Sequence, residues 1–489
     1  MRAVEAATIK GGVSSAALME QAGEKVAEVA MRAWTKRPVA VLCGPGNNGG
    51  DGFVVARRIA EAGWPVKVGL LGEHENLTDD AKLMADLYEG EISPFSPSIL
   101  EGVGLIIDAI FGTGLTRVVE GDYKTAIEAV NAHPAPALAV DIPSGVSADT
   151  GAVLGVGVTA VRTVTFFQKK PGHVLFPGRA LCGSVDAVEI GITREAAATI
   201  KPDCFENQPS LWGEAFGRPG WQSHKYQRGH VMAVSGGALN TGAIRLAAMG
   251  ALRIGAGLVT ILSPRDATQT NAAHLTAIML RQADTVEEIG ASLEGADKYP
   301  MTAVIGPAAG IGEATRDKTL AILKSEASAV LDADVLTSFA DDSAILFSAL
   351  REGDVLTPHS GEFERLFDGI ALSEGKLAAA RAASKKAGCI VVLKGADTVI
   401  AAPDGRATIN VNAPANLATA GAGDVLAGFI AGLRAQGMPG FEAACAGVWL
   451  HGACAQAAGP GLIAEDLPVA VRPVLQSLLA PPKGEVKES

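Results

Sequence analysis

The sequence predicts an α/β protein of two domains, each a mostly parallel sheet with helices on both faces. Three observations carry this. Along most of the 489 residues, short apolar runs alternate with stretches whose apolar residues recur every three or four positions, the mark of strand–helix–strand units. The chain has 58 Gly and is 48% apolar but only 5% aromatic, which suits close helix-on-sheet packing better than an all-β sandwich. Residues 200–225 interrupt the alternation with Pro, Trp and polar residues and no sustained period. The joint is therefore placed near 205–215, giving domains of 1–208 and 213–485.

Bulk properties exclude several functions. The net charge is −12, from 41 basic and 53 acidic residues. No basic block is present, so nucleic acid is not expected as a partner. Cysteines at 43, 182, 204, 389, 445 and 454 form no CxxC pair and read as buried, reduced thiols. MRAVEAATIKGGVSS lacks the apolar run of a signal peptide. No apolar run approaches the roughly 18 residues of a membrane span. The expectation is a cytoplasmic protein without membrane contact, acting on a small molecule and forming a homo-oligomer.

In the first half, Ser14 or Ser15 caps a helix reaching Arg32, with Leu18, Ala22, Val26 and Val29 on one face. PVAVLCG (38–44) is a buried strand that runs into GPGNNGGDGFVVARRIAEAG, a glycine loop and helix, and then the strand WPVKVGLL (64–71). This order is a βαβ unit. The loop is neither GxGxxG nor a P-loop, lacking the GK[ST] ending. Asn47, Asn48, Gly49, Gly50, Asp51 and Gly52 stand in a row. Glycines admit close backbone approach to a ligand, the amides and carboxylate supply polar contacts, and a plain turn needs fewer such residues.

GLIIDAIFG (104–112) ends its apolar run in Asp108, and PALAVDIPSG (136–145) repeats the plan with Asp141, Pro143 and Ser144. Three strands thus end in polar loops on one edge, where ligands bind parallel α/β sheets. Oxygen groups at Asn48, Asp108 and Ser144 suit a hard cation whose identity the sequence leaves open. TVTFFQKKPGH (163–173) and GSVDAVEIGI (183–192) close this half. Lys169 and Lys170 read more readily as solvated than as ligand-facing.

GPGNNGGDG, DAIFGTGL and DIPSG, in this order, resemble the YjeF N-terminal family, the NAD(P)HX epimerases, over about residues 1–200. The resemblance implies a Rossmann-like three-layer αβα domain acting on hydrated NADH or NADPH (NADHX, NADPHX). It assigns substrate contacts to Asn47, Asn48, Gly49, Gly50 and Asp51, to Gly112, Thr113, Gly114, Leu115, Thr116, Arg117 and Val118, and to Asp141. It places potassium (K+) at Asn48, Asp108 and Ser144, and matches Asp141 to an acid/base role.

In the second half, GHVMAVSGG (229–237) is a strand, and NTGAIRLAAMGALRIGAGLVTIL (240–262) is a loop, a small-residue helix and another strand. Further strands are AVIGP (303–307), AVLDADVL (329–336), DVLTPH (354–359) and IVVLKGADTVIA (390–401). The last joins Lys394 and Thr398 through a glycine turn. His359 lies just past a strand end, where a lone His is more often structural than functional. AGAGDVLAGFIAGL (420–433) is a glycine loop, one acid and an apolar helix with Ala422, Leu426, Phe429, Ile430 and Leu433 on one face. Free N–H groups and the helix dipole there suit a phosphate or an oxyanion. Asp424 at that spot would repel an anion unless it accepts a proton; otherwise it is a helix N-terminal charge.

TGAIRLAAMGALRIGAGLVT, IGPAAG, LDADVL, TPHSGE, KGADT and GAGDVLAG together resemble the ribokinase-like superfold, and within it the ADP-dependent NAD(P)HX dehydratases, over about 213–480. The resemblance implies a ribokinase-like αβα domain that uses ADP as phosphoryl donor, with magnesium (Mg2+), and yields AMP and phosphate. It makes Asp424 the catalytic base. It assigns nucleotide contacts to Lys394, Gly395, Ala396, Asp397, Thr398 and Gly423, and substrate contacts to Ala243, Gly310, His359 and Asp424. The chain departs from that family's GPGLG at Gly306–Gly310, with Ala308 where a glycine is usual. The competing reading is a vitamin-precursor kinase in the second half joined to a non-catalytic binding module in the first.

Overall fold

The strands expected from apolar runs form, except that AVLDADVL is a strand only as far as Leu331 and turns into the Asp334–Ser338 helix, and in the central strands burial explains why the runs are continuous. Val39–Cys43 (β1) is fully buried, with Val39, Val41 and Cys43 in one apolar cluster and Ala40 and Leu42 in another. Alternate side chains thus enter the cores on the two faces of one sheet. This sheet continues with Val66–Leu70 (β2), Ile92–Pro94 (β3), Leu105–Ala109 (β4), Ala137–Val140 (β5), Arg162–Phe166 (β6) and Ser184–Val188 (β7). Its order is β3-β2-β1-β4-β5-β6-β7, with all neighbours parallel. The order reverses between β1 and β4, where Leu42 stands opposite Asp108.

The structure, a computed structural model, describes residues 2–198, 200–217, 220–221 and 224–480. It divides into two units, Met1–Pro202 and Asp203–Ser489. The division falls ahead of the joint read from composition, because Cys204–Glu206 (β8) pairs in parallel with a strand two hundred residues later. Backbone hydrogen bonding, not the Pro-rich composition of the segment, decides where the second unit begins.

The second sheet holds His230–Val234 (β9), Leu258–Ser263 (β10), Met279–Gln282 (β11), Met301–Ile305 (β12), Ser328–Leu331 (β13), Val355–Leu356 (β14), Ile390–Leu393 (β15), Val399–Ala401 (β16) and Ala407–Ile409 (β17). The order is β11-β10-β9-β12-β13-β14-β15-β16-β17-β8. Only the two pairings of β16 are antiparallel, and Lys394 to Thr398 form the turn of the β15–β16 hairpin. The Ala422–Ala435 helix is buried nearly all round instead of on one face. It lies against the Thr241–Ile254 and Gly440–Ala458 helices and the sheet, so its outward side chains are core too.

Ser14 caps the Ser15–Ala33 helix, accepting from the Ala17 N–H at 3.1 Å. The other helix start departs from expectation. NNGGDG is not a loop but the first turns of the Asn47–Glu61 helix. Glycine is a poor helix former, and packing explains its presence. A Cβ at Gly49 would lie 1.8 Å from the Gly44 carbonyl oxygen, and one at Gly50 would lie 2.4 Å from the Met19 sulfur. Gly49→Ala is therefore expected to destabilise the first unit by about 1–3 kcal/mol in thermal unfolding. Gly50→Ala should cost less, because a thioether can swing aside where a backbone carbonyl cannot.

All six cysteines are free, and all but the half-buried Cys204 are buried. Among the described residues no helix is long and apolar enough to cross a membrane.

Candidate active sites

The first unit holds a cleft of about 870 Å³ at the reversal of strand order between β1 and β4. Ligands bind at such a reversal because two loops diverge there. Asn47, Asn48 and Asp51 from the helix after β1 line it, as do Gly112 to Arg117 after β4 and Asp141 after β5. Gly49 and Gly50, expected as ligand contacts, face protein instead of the lining, and Val118 is exposed beyond it.

Asp141 sits in left-handed backbone (φ 64°) that non-glycine residues rarely adopt. Such strain persists where the surroundings hold it, and they do. The His173 ring nitrogen Nε2 bonds the Asp141 carbonyl at 2.8 Å. Asp141 Oδ1 accepts from Lys170 Nζ at 2.7 Å and from Thr165 Oγ1 at 2.9 Å. Burial opposes charge on this carboxyl, but Lys170, His173 and Thr165 outweigh it and hold the carboxyl below its usual range. Asp51 is in the opposite condition. Burial, the Asp141 charge and Glu5 push it well above that range, with Lys170 a smaller opposing influence.

Asp108 and Ser144 are bonded to each other behind the cleft, Ser144 Oγ accepts from the Phe111 N–H at 2.8 Å, and Asn48 lies against Gly112, the next residue of that loop. Asp108 accepts from the Ser144 backbone N–H at 2.8 Å and from Ser144 Oγ at 2.5 Å. Burial pushes its carboxyl up to about 6, against those bonds. The side-chain amide of Asn48 is buried with neither polar atom bonded. An orphaned amide is costly unless something is bound there.

In the second unit the loops after β9 and β12 touch, since a Cβ at Gly236 would meet the Ala308 oxygen at 1.9 Å. Ala308 has φ 52°, a conformation that favours glycine, so the departure from the glycine pattern costs strain. The Gly310 N–H donates to Asp334 Oδ2 at 2.8 Å. Ala243 lies in the first turn of the Thr241–Ile254 helix that follows β9.

His359 caps the Ser360–Leu366 helix, its Nδ1 accepting from the Gly361 and Glu362 N–H groups. Its ring is still more than half exposed, so the structural and ligand-facing readings are compatible. The Lys394 N–H bonds the Pro358 carbonyl at 2.8 Å, which ties KGADT to TPHSGE. The Lys394 ammonium pairs with Asp332 at 2.7 Å. Within the same turn, Asp397 is held by Lys376 at 2.5 Å.

Asp424 lies in the first turn of the Ala422–Ala435 helix behind Gly421, which has φ 82°. Burial and the Asp332 charge push its carboxyl up to about 6, Lys394 opposing and Asp334 adding. Gly423 looks onto the same group, a Cβ there lying 3.6 Å from Lys394 Nζ and 3.9 Å from Asp332 Oδ2. One acid tuned near neutrality, one lysine and open helix N–H groups can remove a hydroxyl proton and hold a transferring phosphoryl group.

Two family models match the chain, one described as YjeF-related protein N-terminus over residues 15–172 and one as NAD(P)H-hydrate dehydratase over residues 231–467. A bifunctional NAD(P)H-hydrate repair enzyme from Moorella thermoacetica is 37% identical over 470 residues, covering 90% of this chain and 88% of that protein. The chain belongs to the family of bifunctional NAD(P)H-hydrate repair enzymes. The Escherichia coli repair enzyme is 36% identical, over 93% of this chain and 88% of its own length. A ribokinase-like superfamily protein from Enterococcus faecalis superposes with TM-score 0.50 at 22% identity, over 58% of this chain and 99% of that one, which fixes the fold of the second unit.

Sequence reasoning missed four residues that the geometry of this repair enzyme brings to its sites. Lys170, read as solvated, is buried on Asp141, with Thr165 and His173 beside it. The signal was the KPGH that follows β6. In the second unit, Asp332 of LDADVL anchors Lys394.

Proposed function

We propose that the first unit interconverts the R and S epimers of hydrated NADH and NADPH, and that the second dehydrates the S epimer to NAD(P)H. The observation that best supports this is the pairing, in one repair-family chain, of a nucleotide-sized cleft holding two buried acids, Asp51 and the Lys170-bonded Asp141, with a second site built on Asp424, Gly423 and Lys394. Hydroxide is a poor leaving group, and phosphorylating it removes that obstacle. Asp424 takes the hydroxyl proton, the N–H groups at Gly423 hold the transferring group, and Lys394 offsets its charge. Ala243, Gly310 and His359 flank the hydrated ring, and Lys394 to Thr398 hold the nucleotide, ADP in our reading. Asn47, Asn48, Asp51, the Gly112–Arg117 loop and Asp141 hold the substrate in the first unit.

The donor set at Asn48, Asp108 and Ser144 fits potassium. It offers hard oxygens and one carboxylate, and the Asn48 oxygen is otherwise orphaned. The ion would neutralise Asp108 and tie the helix after β1 to the end of β4 and the loop after β5. Exchanging potassium for N-methylglucamine is expected to weaken NAD(P)H binding to the first unit at least several-fold, read by fluorescence titration, with the second unit's turnover unchanged. Among the described residues no group of three His, Cys, Asp or Glu is arranged to hold a metal. Magnesium, in our reading, comes with the nucleotide and would neutralise its phosphates.

The test uses purified protein, prepared NADHX and magnesium, followed at the NADH absorbance band with ADP, with ATP and with neither. Recovery of NADH from both epimers with one nucleotide supports both activities and identifies the donor. Recovery of the S fraction alone would remove the epimerase. A stable phosphorylated product without NADH would make the second unit a kinase.

A further inference from the structure

The first unit holds two buried carboxyls in one cleft, and the epimerase reading has given only one of them a chemical task. Asp141 and Asp51 both line the cleft and both are more than nine-tenths buried. They reach it from different elements, Asp141 from the end of β5 and Asp51 from the helix after β1. Their surroundings differ in kind. Asp141 is bonded to an ammonium and a hydroxyl. Asp51 shares the cleft lining with Asp141 and Glu5, whose charges disfavour its own, and Lys170, which opposes them, is already bonded to Asp141.

We propose that Asp51 is the general acid of the epimerase site, working with Asp141 as the general base. The proposal rests on the epimerase reading and deepens it. Two carboxyls whose surroundings drive them to opposite protonation states are the arrangement that lets one donate and the other accept a proton at the same pH. The Lys170 ammonium and the Thr165 hydroxyl bonded to Asp141 favour its carboxylate, whereas burial and the neighbouring Asp141 and Glu5 charges favour the neutral form of Asp51.

The chemistry needs both. Water adding across an enamine C=C bond puts the hydroxyl on the carbon bonded to nitrogen, so the epimeric carbon of the hydrate is a hemiaminal. Asp141 takes the hydroxyl proton, and the O–H electron pair becomes the second bond of a C=O group. The C–N bond breaks, its electrons pass to the ring nitrogen, and the nitrogen takes the Asp51 proton. Rotation about the adjacent C–C bond turns the other face of the aldehyde toward the nitrogen. The nitrogen then attacks the carbonyl and returns its proton to Asp51, while the new alkoxide recovers the proton held by Asp141. Nothing is oxidised or consumed. One carboxylate is present throughout, so no net charge is created in a buried site.

The experiment uses the full chain carrying Asp51→Asn, with Asp51→Ser as a second variant, and epimer exchange of NADHX followed by chromatography after subtracting uncatalysed exchange. The expected result is a kcat lowered on the order of 100-fold with KM within a few-fold, and dehydration of the S epimer unchanged. In the unsubstituted protein, kcat should fall as pH rises through the ionisation of Asp51, and both variants should lose that alkaline limb. A raised KM with kcat intact would make Asp51 a binding residue and overturn the proposal. So would kcat within threefold of the original in both variants, or an alkaline limb that survives them. Absence of exchange in the unsubstituted protein would instead overturn the epimerase reading, and this proposal with it.

Discussion

Replacing Asp424 by Asn is expected to lower NAD(P)H regeneration by about 10²–10⁴-fold, the usual worth of a positioned general base, while leaving epimer exchange intact. The variant keeps size and hydrogen-bonding shape and removes only the ability to take a proton. The loss should fall on kcat, because the hydroxyl proton moves only as phosphoryl transfer begins. Stability should move the other way. Burial, Asp332 and Asp334 all disfavour a charge at 424, so Asn relieves an unfavourable interaction, and the second unit should melt at the same temperature or higher. That pairing of lost rate with retained stability separates a base from a residue that merely supports the fold.

The pH dependence follows with a definite sign. The proposed base Asp424 must act as the carboxylate, and burial pushes its carboxyl up to about 6. Dehydration should rise with pH through about 6 and level off above it, and this acidic limb should vanish in the Asn variant's residual rate. For stability the same raised value means that Asp424 binds its proton more tightly folded than unfolded. It therefore favours the fold at acid pH and loses that effect as pH rises through about 6.

The strand plan was open to reading from sequence, because parallel strands buried on both faces must be continuously apolar. GLIIDAIFG and PALAVDIPSG therefore announced both the strand and the acid at its end. What stayed hidden depends on contacts made across the chain. Lys170 looks like half of a solvated Lys-Lys pair, and its burial follows from Asp141, 29 positions earlier, arriving beside it. Cys204–Glu206 becomes a strand only because Ala407–Ile409 lies alongside. The glycines at 49 and 50 read as ligand-approach residues, yet their neighbours are Gly44 and Met19. The second site was more legible because its chemistry is local. Gly421, Gly423 and Asp424 form one turn, and only Asp332, 92 residues before Asp424, had to come from structure.

Lys170→Met is expected to destabilise the first unit by about 3–5 kcal/mol near pH 7, the usual cost of stranding one partner of a buried ion pair, and to abolish epimer exchange. Burial alone would drive Asp141 toward its neutral form, and Lys170 is the first influence that reverses this. Without the ammonium the carboxyl must protonate or remain charged and buried, and a protonated Asp141 cannot serve as base. The intact Asp141 titrates below its unfolded value of about 3.9, so its stabilising effect is complete above that value and fades as pH falls through the folded value. The variant should therefore differ most from the original at neutral pH and least in acid, where Asp141 is protonated in both. Adding Asp141→Asn to Lys170→Met removes the stranded charge, and should recover much of the stability and none of the activity. A double-mutant cycle on thermal unfolding measures the coupling. A single-variant cost below about 1 kcal/mol, typical of exposed pairs, together with no recovery in the double variant, would mean that the left-handed turn at Asp141 is held by Thr165 and His173 without the ion pair.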